Sequence, residues 1–211
     1  MTNSRSRRTR IILIALLTVA VLALIGVTLV LVPILTHQSA GSSGQQLPDG
    51  YVSEVSATGA DGRTRTLSVT KSGGETFDAS AVKPGESLTI SGDGFDAAIG
   101  IYVAVCAIPG DPSVKPGPCL GGIPQGAEEG NVNTEDLTSA WVTSDWAWKA
   151  FATHSYDSKQ DGAFTATLTM PEPATEGLDC TVTRCAITTR ADHTALNDRV
   201  QDIFLPIRFT E

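Results

Sequence analysis

A chain of 211 residues with 41% hydrophobic residues and a net charge of -8 is long enough for one ordinary domain with something added. The charge is unevenly placed: Arg5, Arg7, Arg8 and Arg10 precede every acid, leaving eleven Lys plus Arg against 23 acids, a net of -12. That later part repels nucleic acid and anionic lipid headgroups, and suits a neutral or cationic partner or simple solubility.

Residues 1–10 form a basic N-terminus, and no acid appears before Asp49. Ile11–Leu35 is then an apolar run broken only by Thr18, Gly26, Thr28 and Pro33. A bilayer core of about 30 Å needs about 20 helical residues, so the run predicts a transmembrane helix over 11–35. It exceeds the core of a cleaved signal peptide, about 7 to 15 residues, and no small-x-small cleavage site follows. The arginines predict a cytoplasmic N-terminus and an extracytoplasmic remainder in a single-pass cell-membrane protein.

Residues 36–64 read as a flexible tether. Thr36–Asp49 is rich in Ser, Gly and Gln, and Tyr51–Thr64 is polar, with a turn at Asp61-Gly62. It continues the tether or supplies a first loose strand.

From residue 65 the pattern has period two. Strands are expected at Thr66–Thr70, Ser87–Ser91, Ile101–Cys106, Ala163–Met170, Ala186–Arg190 and Ile203–Phe209. The segment Ile101–Cys106 is nearly continuous in apolar character, as in a central strand. Lys83-Pro84-Gly85, Gly92-Asp93-Gly94 and Asp161-Gly162 supply turns between strands. Pro206 predicts an edge strand or a bulge, because it lacks an N–H for the ladder. Many short strands with such turns indicate an all-β sandwich over 65–211.

Cys106, Cys119, Cys180 and Cys185 all lie beyond the apolar run. An even number in an oxidising compartment predicts two disulfides, with three connectivities open. The pairing Cys106–Cys119 and Cys180–Cys185 closes the shortest loops and is the expected one, each contributing about 2 to 3 kcal/mol. Zinc is disfavoured, since neither Cys-x2-Cys nor a completing His pair occurs.

A long segment, about 120–159, interrupts the strand rhythm and holds Trp141, Trp146, Trp148 and Phe151. Thr138 or Ser139 suits a helix cap, whereas Trp146 and Trp148 alternate as in a strand. A long, weakly patterned insertion is functional or disordered, and three Trp oppose disorder. These four aromatics are the candidate partner-binding residues. They serve a binding hot spot, a core, or a membrane interface.

Catalytic and metal chemistry find little support. No Gly-x-Ser-x-Gly occurs, and the cysteines are assigned to bridges. His37 lies at the membrane edge, His154 in the insertion, and His193 after Asp192 as a turn residue. Gly92-Asp-Gly94 precedes a strand rather than the helix a phosphate site needs. Asp157–Gly162 lacks the spacing of a calcium loop. The expectation is a non-enzyme with no cofactor and no metal.

Several stretches together resemble the neocarzinostatin-type family of actinobacterial secreted apoproteins. They are Val82-Lys-Pro-Gly-Glu-Ser-Leu-Thr-Ile-Ser-Gly-Asp-Gly-Phe95, Tyr102-Val-Ala-Val-Cys-Ala107, Asp161-Gly-Ala-Phe-Thr-Ala-Thr-Leu168 and Asp179-Cys-Thr-Val-Thr-Arg-Cys-Ala-Ile187. Arg190-Ala-Asp-His193 and the ending Ile207-Arg-Phe209 add to them. The likeness covers about 65–210. It implies a seven-stranded immunoglobulin-like sandwich, the same two local disulfides, and an apolar cleft that in the family holds an enediyne chromophore. Unlike the released members, this chain carries an anchor and roughly 30 additional residues after Cys119. The expected function is therefore a non-catalytic accessory subunit on integral membrane or envelope proteins, with actinobacterial respiratory or transport assemblies as hosts. The alternative is a tethered protein that binds a small apolar ligand in the cleft.

Overall fold

The structure is a computed structural model that describes residues 3–111, 113–122 and 137–210. It divides into two compact units, Met1–His37 and Gln38–Glu211.

The first unit is one helix, α1, Asn3–Thr36. Within it Arg7–Thr36 is long and apolar enough to cross a membrane, and its window of highest hydropathy averages 3.0. Three of its hydroxyls are satisfied within the helix. Thr18, Thr28 and Thr36 each donate to the carbonyl four residues back, at 2.9, 2.8 and 2.7 Å. A lipid phase requires such internal pairing. Pro33 stands in the last turn and leaves only one turn of helix after it.

The second unit is built from antiparallel strands. The first sheet runs β1 (Glu54–Thr58), β2 (Thr64–Lys71), β3 (Ser87–Asp93) and β6 (Phe164–Thr169), in that order. The second runs β10 (Ile203–Ile207), β9 (Cys185–Ala191), β4 (Ile101–Ala107) and β5 (Ser139–Val142). A two-residue pair, β7 (Ala174–Thr175) with β8 (Leu178–Asp179), stands apart. The described strands thus number eight in the two sheets. β1 and β5, from segments read as tether and insertion, join the six read from periodicity.

Alternation explains the core. Leu67 and Val69 of β2, Leu88 and Ile90 of β3, and Phe164, Ala166 and Leu168 of β6 point one way. They meet Val103 and Val105 of β4, Ile187 of β9, and Ile203 and Leu205 of β10 in one apolar cluster. Period-two strands bury one face each and so specify their own register.

Two expectations change here. Residues 36–64 are not a flexible tether, because most of them belong to the domain. Ala40 donates its backbone N–H to Asp198, Ser42 bridges Arg199, Ser43 is buried, and β1 pairs with β2 from Glu54↔Ser68 to Thr58↔Thr64. The Gln45 side chain adds two bonds to the Phe204 backbone, both at 2.7 Å. Described residues of 120–159 likewise belong to the sandwich. Leu137, Ala140, Val142 and Tyr156 lie in the core cluster, and β5 pairs with β4. Residues 123–136 lie outside the described residues.

Both interior Asp-Gly turns have a steric reason. Gly94 and Gly162 take positive φ of 78° and 65°, and an added Cβ would sit 1.9 Å from the Thr64 carbonyl and 1.7 Å from the Phe95 carbonyl. Only glycine fits there. The Asp157–Gly162 stretch is a plain turn, closed by Ser158 Oγ donating to Asp161 at 2.7 Å.

One charge lies on the core face of a strand. Arg65 shares the inner face of β2 with Leu67 and Val69, and its relative exposure is 0%. It forks onto Asp61 at 3.0 and 2.6 Å and donates through Nε to Gln201 at 2.7 Å. Gln201 in turn bonds the backbone N–H and carbonyl of Asp96, both at 3.1 Å. Removing one partner of a buried pair strands the other. Asp61→Ala strands the fully buried Arg65 and is therefore expected to lower the free energy of unfolding by about 3 to 5 kcal/mol, measured by urea titration followed with near-ultraviolet circular dichroism.

Candidate functional site

The outward face of the second sheet follows from its register. Ile101, Val103, Val105 and Ala107 face the core, so Tyr102, Ala104 and Cys106 face outward. Pairing sets Tyr102 between Trp141 of β5 and Arg190 of β9. The next row is Ser139, Ala104, Thr188 and Phe204, and the third is Cys106, Ala186 and Pro206. The first row is thus rings and a guanidinium, beside a floor of mostly small residues. Ala104, Thr188 and Ala186 are buried. Continuing the register by one residue sets Asp202 beside Arg190.

The expected disulfides are both formed, Cys106–Cys119 and Cys180–Cys185. The first folds the loop after β4 back along that strand. Ala107 N–H bonds the Pro118 carbonyl at 2.9 Å, and Leu120 N–H bonds the Val105 carbonyl at 2.7 Å. The returning loop brings Pro116 to Arg190, whose Nη1 donates to the Pro116 carbonyl at 2.8 Å. The guanidinium also lies over the Tyr102 ring, 5.8 Å from its centroid. Its Nε is buried and has no partner. Lys115 stands in the same place. Burial, then the charges of Arg190 and Arg199, hold its ammonium below the ordinary lysine range. Among the described residues neither Lys115 nor Arg190 takes part in an ion pair.

On the other side of Tyr102 the rings form a cluster. Trp141 lies 5.9 Å from Tyr102, 6.4 Å from Trp148 and 5.2 Å from His193, and Trp148 meets His193 edge-on at 4.6 Å. The turn after β9 delivers His193. Asp192 accepts from Thr194 N–H and Oγ1 at 2.8 and 2.6 Å through one oxygen, and from Trp141 Nε1 at 2.9 Å through the other. The Tyr102 hydroxyl and His193 Nδ1 share a hydrogen bond of 3.2 Å. Burial pushes the Tyr102 phenol up, with Asp192 adding to it.

The four predicted aromatics part company. Trp141 is half-buried on a strand, and Trp148 is half-buried against it. Trp146 and Phe151 stand out at 67% and 66% exposure. The strand-like alternation of Trp146 and Trp148 is not realised. Residues 146–151 are a turn, begun by Asp145, whose side chain accepts from Ala147 N–H at 2.8 Å and whose carbonyl accepts from Lys149 N–H at 2.9 Å. An Asp so placed stops a strand and starts a turn.

Tyr102, Lys115, Arg190, Asp192 and His193 were not among the predicted site residues. A signal for two of them existed. Tyr102 and Arg190 break the apolar run of central strands at positions that alternation turns outward. No local signal brings Lys115 or His193 to them. All four cysteines are in disulfides, and the described residues hold no group of three or more His, Cys, Asp or Glu suited to a metal ion. The arrangement offers flat apolar faces beside unpaired cations, which are means of recognition.

No protein-family model, no curated protein and no solved structure matches the chain.

Asp202 titrates unusually. One oxygen accepts from Arg199 Nη1 at 3.0 Å, while the other is buried with no partner. Burial outweighs the Arg199 charge and raises the carboxyl to about 7. An unfolded Asp loses its proton near pH 4, about three units lower. Between these values the folded state binds more protons, so this group makes stability fall as pH rises. Asp202→Asn is expected to flatten that fall between about pH 4 and pH 7, read as the urea midpoint of variant and parent at each pH.

Proposed function

We propose that this chain is a membrane-anchored, non-catalytic interaction subunit. α1 is an uncleaved anchor with its N-terminus cytoplasmic, and the sandwich docks outside on an integral membrane or envelope protein. The carrying observation is the turn that presents Trp146 and Phe151 to solvent beside the half-buried pair Trp141 and Trp148. Exposing two large rings costs solubility, and Trp in particular dominates protein-binding hot spots. An anchor adds affinity for a partner in the same membrane by raising its effective concentration. Arg7, Arg8 and Arg10 at the start of the helix support the orientation. The likeness to neocarzinostatin-type sandwiches supports an immunoglobulin-like topology and an actinobacterial envelope setting, with respiratory assemblies as hosts.

A second reading is tethered binding of a small apolar ligand. What favours it is the ring cluster of Tyr102, Trp141, Trp148 and His193 beside the floor of Ala104 and Ala186.

For the first reading, mild detergent extraction and capture through a C-terminal tag should recover partner proteins in fixed ratio. The captured chain should retain residues 11–35 by intact mass. The double variant Trp146→Ala, Phe151→Ala should lose partner recovery by at least about tenfold, since the loss of one hot-spot ring alone weakens binding that much, while keeping its near-ultraviolet dichroism. A wild-type chain recovered alone as a monomer overturns the subunit reading.

A further inference from the structure

We infer that the outer face of the second sheet holds an anion subsite, formed by Lys115 and Arg190, that selects a carboxylate on an aromatic ligand. This rests on the second reading above, small-ligand binding at the ring cluster.

The domain is acidic overall, so two unpaired cations side by side run against its charge. Their placement is enforced. Register fixes Arg190 next to Tyr102, and the Cys106–Cys119 loop carries Pro116, with Lys115 before it, to the guanidinium. Like charges at close range repel, and burial makes the repulsion worse. The acids whose charges act on Lys115 are Asp202 and Asp192. Asp192 accepts from Trp141 and Thr194 through its two oxygens, whereas Asp202 accepts from Arg199 through one oxygen and keeps the other buried without a partner. Asp202 is also pushed towards its neutral form, which weakens it as a counter-ion.

Arg190 itself is incompletely used. Nη1 holds Pro116 and the face of the guanidinium covers Tyr102, but Nε has no partner. The half-buried guanidinium makes one hydrogen bond to protein out of five donors, which leaves donors at its exposed edge for a ligand oxygen. A carboxylate supplies that oxygen and offsets both charges. Its aromatic body would then lie along the row towards Tyr102, Trp141 and Trp148, whose rings are half-exposed. Neutral apolar ligands would gain the ring contacts alone.

The test uses the full chain in nanodiscs of zwitterionic lipid, with empty nanodiscs as reference. Two probes share one body: biphenyl-4-carboxylate and its neutral amide, biphenyl-4-carboxamide. Quenching of tryptophan fluorescence reports binding. The carboxylate is expected to bind at least about tenfold tighter than the amide, as a charge-assisted hydrogen bond allows. Lys115→Met should remove most of that ratio and leave amide binding unchanged. Arg190→Gln should also lower the ratio, and Lys115→Met decides if that variant fails to fold. Equal affinity for the two probes, or an unchanged ratio in Lys115→Met, overturns the anion subsite and leaves the apolar-ligand reading standing. Binding of neither probe overturns both.

Discussion

A guanidinium with no solvent exposure is the constraint on which the second unit depends. Arg65 sits on the core face of β2, where an unpaired charge would be prohibitive. It is tolerated because its partners come from three parts of the chain: Asp61 in the turn before β2, Gln201 before β10, and, through Gln201, the backbone of Asp96 after β3. Satisfying one charge thus fixes the first sheet against the connection that opens β10. That connection also carries Arg199 and Asp202, so the network reaches the outward face where the candidate site lies.

The outward face is a consequence of register more than of any motif. Slipping β4 by one residue would send Tyr102 inward and Val103 outward, an exchange the core would resist. The same rule that buries Val103 and Val105 therefore presents Tyr102, and pairing on either side adds Trp141 and Arg190. The disulfide Cys106–Cys119 then has a role beyond chain entropy, because it returns the loop that bears Lys115. Packing and presentation come from one set of strands.

The edges of the second sheet are managed as well. β10 is an edge strand, as Pro206 led one to expect. Its exposed backbone is covered by a side chain from the segment before β1. Gln45 accepts from Phe204 N–H and donates to Phe204 carbonyl, both at 2.7 Å. One amide thus stands in for a strand partner and blunts a pairing hazard.

What the sequence determined by itself was what local periodicity encodes. The apolar run of α1, the strands β2, β3, β4, β6, β9 and β10, and the two short disulfide loops were legible because apolar residues repeat every two positions in half-buried strands and occupy every face of α1. The tertiary structure alone decided the rest. Polar residues 38–58 read as tether because their bonds go to Asp198, Arg199 and Phe204, some 150 residues away, where no local pattern shows them. Trp146 and Trp148 alternated like a strand until Asp145 closed a turn. No local signal brings Lys115 or His193 to Arg190 and Tyr102. Only strand pairing and a loop returned by a disulfide set two cations and a ring cluster on one face.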